Sequence, residues 1–98
     1  MDYLPLFHSL TEKKCLIIGG GSVATRKARL LMDANARVTV IAPELAEELS
    51  QLAAENKIEY IERPFKLGDS QSYTLVICAT NDPKINAQVS KDAQQNNI

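Results

Sequence analysis

Three consecutive glycines, Gly19, Gly20 and Gly21, stand between an unbroken apolar run at residues 15–18 and a segment with helical apolar spacing. A short apolar run ending in glycine suits a strand buried on both faces, as in a parallel sheet. Gly19, Gly21 and Ala24 fill the pattern G-x-G-x-x-A. The pattern is weak by itself and gains meaning here from sitting between a strand and a helix at the start of a βαβ unit. Gly19 permits a tight turn out of the strand, Gly21 presents no side chain to a pyrophosphate approaching the backbone, and Ala24 keeps the helix close to the sheet. The helix N-terminus, at Ser22 and Val23, then offers free N–H groups and partial positive charge to phosphates. A turn that only connects strand to helix is the plainer alternative. Three glycines in a row lose more backbone entropy on folding than such a turn requires, which favours a ligand.

The rest of the chain continues the alternation. Residues 14–19 read as the first strand, and 22–34 as a helix with Ala24, Ala28 and Leu31 along one face. Asn35 then stands where a helix end favours the left-handed conformation. Residues 37–42 are β-branched and apolar, a second strand. Residues 43–55 begin with Pro43 and carry Leu45, Leu49, Leu52 and Ala53, which predicts a second helix. A short strand at 57–61, a loop or irregular turn of helix at 63–72 containing Pro64, Gly68 and Asp69, and a buried strand at 73–79 follow. Residues 82–96 predict a last helix with Ile85, Val89 and Ala93 on one stripe. This order predicts an α/β, Rossmann-type doubly wound parallel sheet with strand order 3-2-1-4. A fifth strand is expected after the last helix, with Ile98 at its start. The chain reads as one dinucleotide-binding domain over 1–98, incomplete at its C-terminal end, with an unpaired apolar edge on strand four.

Charge and composition exclude several function classes. A formal net charge of −1 gives no general attraction to nucleic acid or to an anionic membrane surface. No apolar run is long enough to span a bilayer, and the first residues lack the pattern of a signal peptide, so a cytoplasmic location is the expectation. Cys15 and Cys78 each lie in an apolar run and read as buried free thiols. Their offset along neighbouring strands, about 10 Å, argues against a disulfide. Two separated cysteines and the single His8 do not make a metal site. His8 reads as a surface or packing residue.

Two further segments belong with the glycine turn. An NAD-binding fold often places an acid about 20 residues past the glycines to accept hydrogen bonds from the adenosine ribose. Pro43 and Glu44 stand slightly beyond that position. An acid in the first turn of a helix, stabilising its dipole, is an equally open reading of Glu44. No Arg or Lys follows the strand to hold a 2′-phosphate, so NAD is favoured over NADP. The second segment, Thr80, Asn81 and Asp82 at the end of strand four, borders the crevice of a doubly wound sheet. Thr80 and Asn81 are candidate contacts to the ribose or nicotinamide, whereas Asp82 before Pro83 reads as a helix cap. Arg26, Lys27 and Arg29 make the first helix basic. They read as a solvated face, or else as attraction for a polycarboxylate substrate.

These residues suggest a family. Residues Met1-Asp2-Tyr3-Leu4-Pro5-Leu6-Phe7, then 15–24, then Arg26-Lys27-Ala28-Arg29-Leu30-Leu31, 38–43 and 79–82, resemble the N-terminal module of siroheme synthases. The likeness covers essentially the whole chain. It implies NAD-dependent oxidation of the tetrapyrrole precorrin-2 to sirohydrochlorin. It also implies insertion of ferrous iron by the full module (a ferrochelatase, or lyase, activity), often with a fused methyltransferase. It implies that Ser22-Val23 and Pro43-Glu44 hold NAD. The family's catalytic aspartate and dimer-forming region would lie beyond Ile98, so the parent is expected to be a homodimer and this chain to bind dinucleotide without turnover.

Two rivals remain at this point. A non-catalytic dinucleotide-sensing domain, like that of a potassium-uptake system, would usually carry an acid where this chain has Ile41-Ala42, and would not need the residue 4–7 arm. A dehydrogenase acting on another substrate class is the other.

Overall fold

The computed structural model describes residues 11–95. The arm at residues 1–10 with His8, the fifth strand expected from Ile98, and the side chain of Ala93 lie outside the described residues. Seven elements follow one another: β1 (Lys14–Ile18), α1 (Ser22–Asp33), β2 (Arg37–Ala42), α2 (Glu47–Ala54), β3 (Glu59–Glu62), β4 (Leu75–Cys78) and α3 (Pro83–Gln95). The four strands form one parallel sheet in the order β3-β2-β1-β4, the predicted topology.

Side chains alternate across β1 and β2 and so feed two separate cores. Cys15 and Ile17 of β1, with Val38, Val40 and Ala42 of β2, pack beneath Ala24, Ala28 and Leu31 of α1 and Leu49 and Leu52 of α2. Leu16, Ile18 and Ile41 point the other way, against Val89 of α3 and Phe65 of the β3–β4 loop. The result is a three-layer sandwich. Ala24 and Ala28 are fully buried, and their small side chains let α1 lie close to the sheet, which carries its N-terminus to the ends of the strands.

Asn35 has φ +62°, and its N–H donates to the Met32 carbonyl while that of Ala36 donates to the Leu31 carbonyl. This paired arrangement closes α1 in a left-handed cap, as expected. Asn56, φ +61°, does the same for α2 through Ala53 and Leu52.

Three expectations need correction. The second helix begins at Glu47, not residue 43, so residues 43–46 form a bent loop and Glu44 is not in a helical first turn. Glu47 and Glu48 occupy that turn instead. Strand four is shorter than 73–79, and its Leu75, Val76 and Ile77 are only half-buried. Cys78 is exposed, not buried, because it ends β4, an edge strand among the described residues. The Cys78 thiol donates instead to Oδ1 of Asn86, 2.7 Å away. Cys15 is buried, as expected, and burial pushes its thiol pKa up. Register places Cys78 opposite Ile18, three residues along from Cys15, which keeps the sulfurs apart.

Candidate functional site

At the carboxyl ends of β1, β2 and β4 the chain leaves the sheet on three sides of a cavity of about 700 Å³. The glycine turn forms its floor. Gly19 has φ +126°, and a β-carbon there would stand 2.7 Å from the Ala79 carbonyl oxygen. A β-carbon on Gly20 would overlap the Glu44 carbonyl oxygen. Both positions therefore need glycine for the fold itself, with or without a ligand. Gly21 differs. A β-carbon there would meet nothing within 4 Å, and its φ of −94° is open to any residue.

Gly21 is the N-cap of α1 and provides no side chain to its amides. Its carbonyl accepts both the Thr25 N–H (3.0 Å) and the Thr25 hydroxyl (2.9 Å). No acidic residue sits in the first turn of α1. The helix thus presents an uncapped, partially positive end beside empty space, which suits an anion held by main-chain amides.

The β2–α2 loop walls one side. It is stitched to the glycine turn by the Ala46 N–H donating to the Gly20 carbonyl at 2.7 Å and by the Gly19 N–H donating to the Ile41 carbonyl at 3.0 Å. From β3, the Tyr60 hydroxyl donates to the Ala42 carbonyl at 2.9 Å. Burial, then the charges of Glu62 and Glu44, push the Tyr60 phenol pKa up, so it stays a donor.

Pro64 and Phe65 of the β3–β4 loop form another part of the wall. That loop is held at two points. Arg63 donates through both guanidinium nitrogens to Asp69, each 2.8 Å, and the Lys66 N–H also donates to Asp69. Burial by itself would raise the Asp69 pKa, but these hydrogen bonds and the neighbouring positive charges hold it below its ordinary value. Asp92 of α3, 2% exposed, accepts the N–H groups of Gly68 and Ser70. The buried Ser70 hydroxyl lies outside strict hydrogen-bond geometry, yet it favours the ionised form. Burial opposes ionisation of Asp92, and the hydrogen bonds overcome it, so its pKa also falls below the usual range.

The third wall is the end of β4. The Thr80 hydroxyl accepts the Asp82 N–H at 3.0 Å, and Asp82 accepts the Lys84 N–H at 2.9 Å. Asp82 therefore caps α3, as expected.

The structure brings Gly19, Gly21, Pro43, Glu44, Thr80 and Asn81 together around this cavity. Ser22 and Val23 stand exposed in the first turn of α1 and do not line the cavity. Ala24 is buried against the sheet. Sequence reasoning missed Gly20, because its role depends on a residue 24 positions away. It also missed Pro64 and Phe65, for which an aromatic residue inside a polar loop was the available signal. Among the described residues, no Lys or Arg lines the cavity. Arg26 and Arg29 are exposed, Lys27 is half-buried and Arg29 pairs with Glu48, which fits a solvated face. Among the described residues, no group of three or more His, Cys, Asp or Glu could hold a metal ion. Also among them, no helix is long and apolar enough to cross a membrane.

Residues 6–98 match the family described as "Putative NAD(P)-binding". The chain belongs to this NAD(P)-binding family. Similar relatives include siroheme synthases of Pseudomonas putida (strain W619), 52% identical over 96% of this chain and 20% of the relative, and of Azotobacter vinelandii, 44% identical over 100% and 21%. Among solved structures, SirC, a precorrin-2 dehydrogenase, superposes with a TM-score of 0.82 at 27% identity, over 92% of this chain and 44% of that one. The chain spans about one fifth of the length of the curated relatives it matches.

Proposed function

We propose that this chain is the dinucleotide-binding module of a siroheme-forming protein and that it holds NAD for the oxidation of precorrin-2 to sirohydrochlorin. The observation that carries the reading is the space beside Gly21. The fold requires glycine at 19 and 20 but not at 21, and the unfilled volume there faces an uncapped helix N-terminus. A pyrophosphate fits that cradle, bound by the amides of residues 21–23. Glu44, freed from any helix, accepts the adenosine ribose hydroxyls. Thr80 and Asn81 border the nicotinamide half. With no basic residue in the wall among the described residues to meet a 2′-phosphate, NAD is preferred to NADP. Bound there, a nicotinamide ring supplies the hydride acceptor, while these residues bind and orient it. Similarity to siroheme synthases and to a precorrin-2 dehydrogenase supports the tetrapyrrole as substrate and ferrous iron as the metal inserted by the whole protein. We read that whole protein as a cytoplasmic homodimer.

Calorimetric titration with NAD and NADP tests this reading. Saturable NAD binding at one site, weaker for NADP, is expected. No NAD binding, or a nucleotide seated away from residues 19–23, overturns it. The chain alone should bind NAD without forming NADH from precorrin-2.

A further inference from the structure

The segment from Ala42 to Glu44 is the part of the cavity wall that continues the end of β2. Its conformation depends on what grips it from the two sides. On the α1 side the glycine turn does so, through the Gly20–Glu44 contact and the Ala46–Gly20 hydrogen bond. On the β3 side the grip is the Tyr60 phenol, which reaches past its register partner Val40 to the carbonyl of Ala42. Tyr60 is half-buried against the α1–α2 core, so its ring is fixed by packing and its hydroxyl position is set. Ala42 is the last residue of β2, and two residues on stands Glu44.

We propose that Tyr60 is a positioning residue for the dinucleotide: its hydroxyl, by holding the Ala42 carbonyl, sets the exit of β2 and so aims the Glu44 carboxylate at the adenosine ribose. This inference rests on Glu44 being the ribose acceptor. The phenol touches no part of the ligand. It acts through the backbone, and its loss releases one side of a loop that the glycine turn holds on the other.

The test is a double-mutant cycle on the full chain, with calorimetric NAD titration of the wild type, Tyr60→Phe, Glu44→Gln and the double variant. Circular dichroism and thermal melting establish that each is folded. Tyr60→Phe should weaken NAD binding by about threefold to tenfold, the range of one ordinary hydrogen bond. In the Glu44→Gln background the same change should have no further effect, because the carboxylate it aims is gone. Unchanged affinity in Tyr60→Phe overturns the proposal, as does an equal loss in both backgrounds, which would mark a general packing role. A wild type that fails to bind NAD overturns the function proposed above instead, so the two failures are distinguishable. If Tyr60→Phe does not fold, difluorotyrosine at position 60 keeps the ring and hydroxyl but loses its proton at lower pH. NAD affinity should then fall as that phenol ionises beside Glu62 and Glu44, and a pH-independent affinity would overturn the proposal.

Discussion

The carbonyl oxygen of Glu44 occupies the place where a β-carbon on Gly20 would stand. This contact joins the first βα turn to the loop after β2, and it separates two glycines that a motif treats alike. Gly20→Ala must push the β2–α2 loop outward or fail to pack. We expect it to destabilise the protein by about 1–3 kcal/mol, the usual cost of overpacking. Gly21→Ala adds a methyl group to open space. It should leave the melting temperature near wild type and weaken NAD binding by about tenfold or more, equivalent to about 1.4 kcal/mol. Thermal melts paired with calorimetry on both variants check this. Unchanged NAD affinity in Gly21→Ala would contradict the proposed pyrophosphate cradle.

Glu44 is exposed at the cavity rim and lies outside any helix, so its carboxylate contributes nothing to a helix dipole. Glu44→Gln should therefore leave stability within about 0.5 kcal/mol, as for most surface substitutions. NAD affinity should fall by about tenfold, as expected on losing a charge-assisted hydrogen bond. Glu44→Arg should raise the ratio of NADP to NAD affinity. Competition binding with the two nucleotides reads both effects.

Asp92 pins the β3–β4 loop, and with it Phe65, to α3. Its pKa in the folded state lies below that of the unfolded chain, as does that of Asp69. The unfolded state therefore binds more protons in the acid range. Stability from these groups is fully present above the unfolded carboxyl pKa of about 3.9 and is lost as pH falls from about 5 through the lower folded values. Asp92→Asn should lower stability by about 1.5–3 kcal/mol near neutrality, the range for hydrogen bonds to a charged group, and should flatten the acid limb. Urea melts between about pH 3 and 7 measure both. An acid limb as steep as wild type in Asp92→Asn would remove Asp92 from this account.

The two cysteines should differ in reactivity. Cys78 is exposed, whereas Cys15 is wholly buried with its thiol pKa pushed up. A thiol reagent should modify Cys78 in the native protein and reach Cys15 only after denaturation, because the thiolate is the reactive form. Mass spectrometry of the modified chain locates the label. Equal labelling of both in the native state would show β1 to be opened far more readily than its burial implies.

Much of this protein was legible in its residues alone. The element order, the parallel topology and the left-handed end of α1 at Asn35 follow from apolar periodicity and local backbone preference, which act over a few residues. The glycine turn was legible for the same reason, since a strand, three glycines and a helix are neighbours in the chain. Element ends were less so. Pro43 suggested an early helix start, but residues 43–46 form a loop tethered to Gly20 through Ala46, and the helix starts at Glu47.

Local sequence therefore determined which elements form and where the glycine turn falls, because those choices are made by φ preferences and by the spacing of apolar side chains. Tertiary structure alone decided that Gly20 serves the fold while Gly21 leaves space. It also decided that Cys78 faces outward, that Phe65 walls the cavity and that Tyr60 grips the end of β2. Each of these depends on residues many positions apart in sequence that meet only when the sheet assembles, and no local pattern records such a meeting.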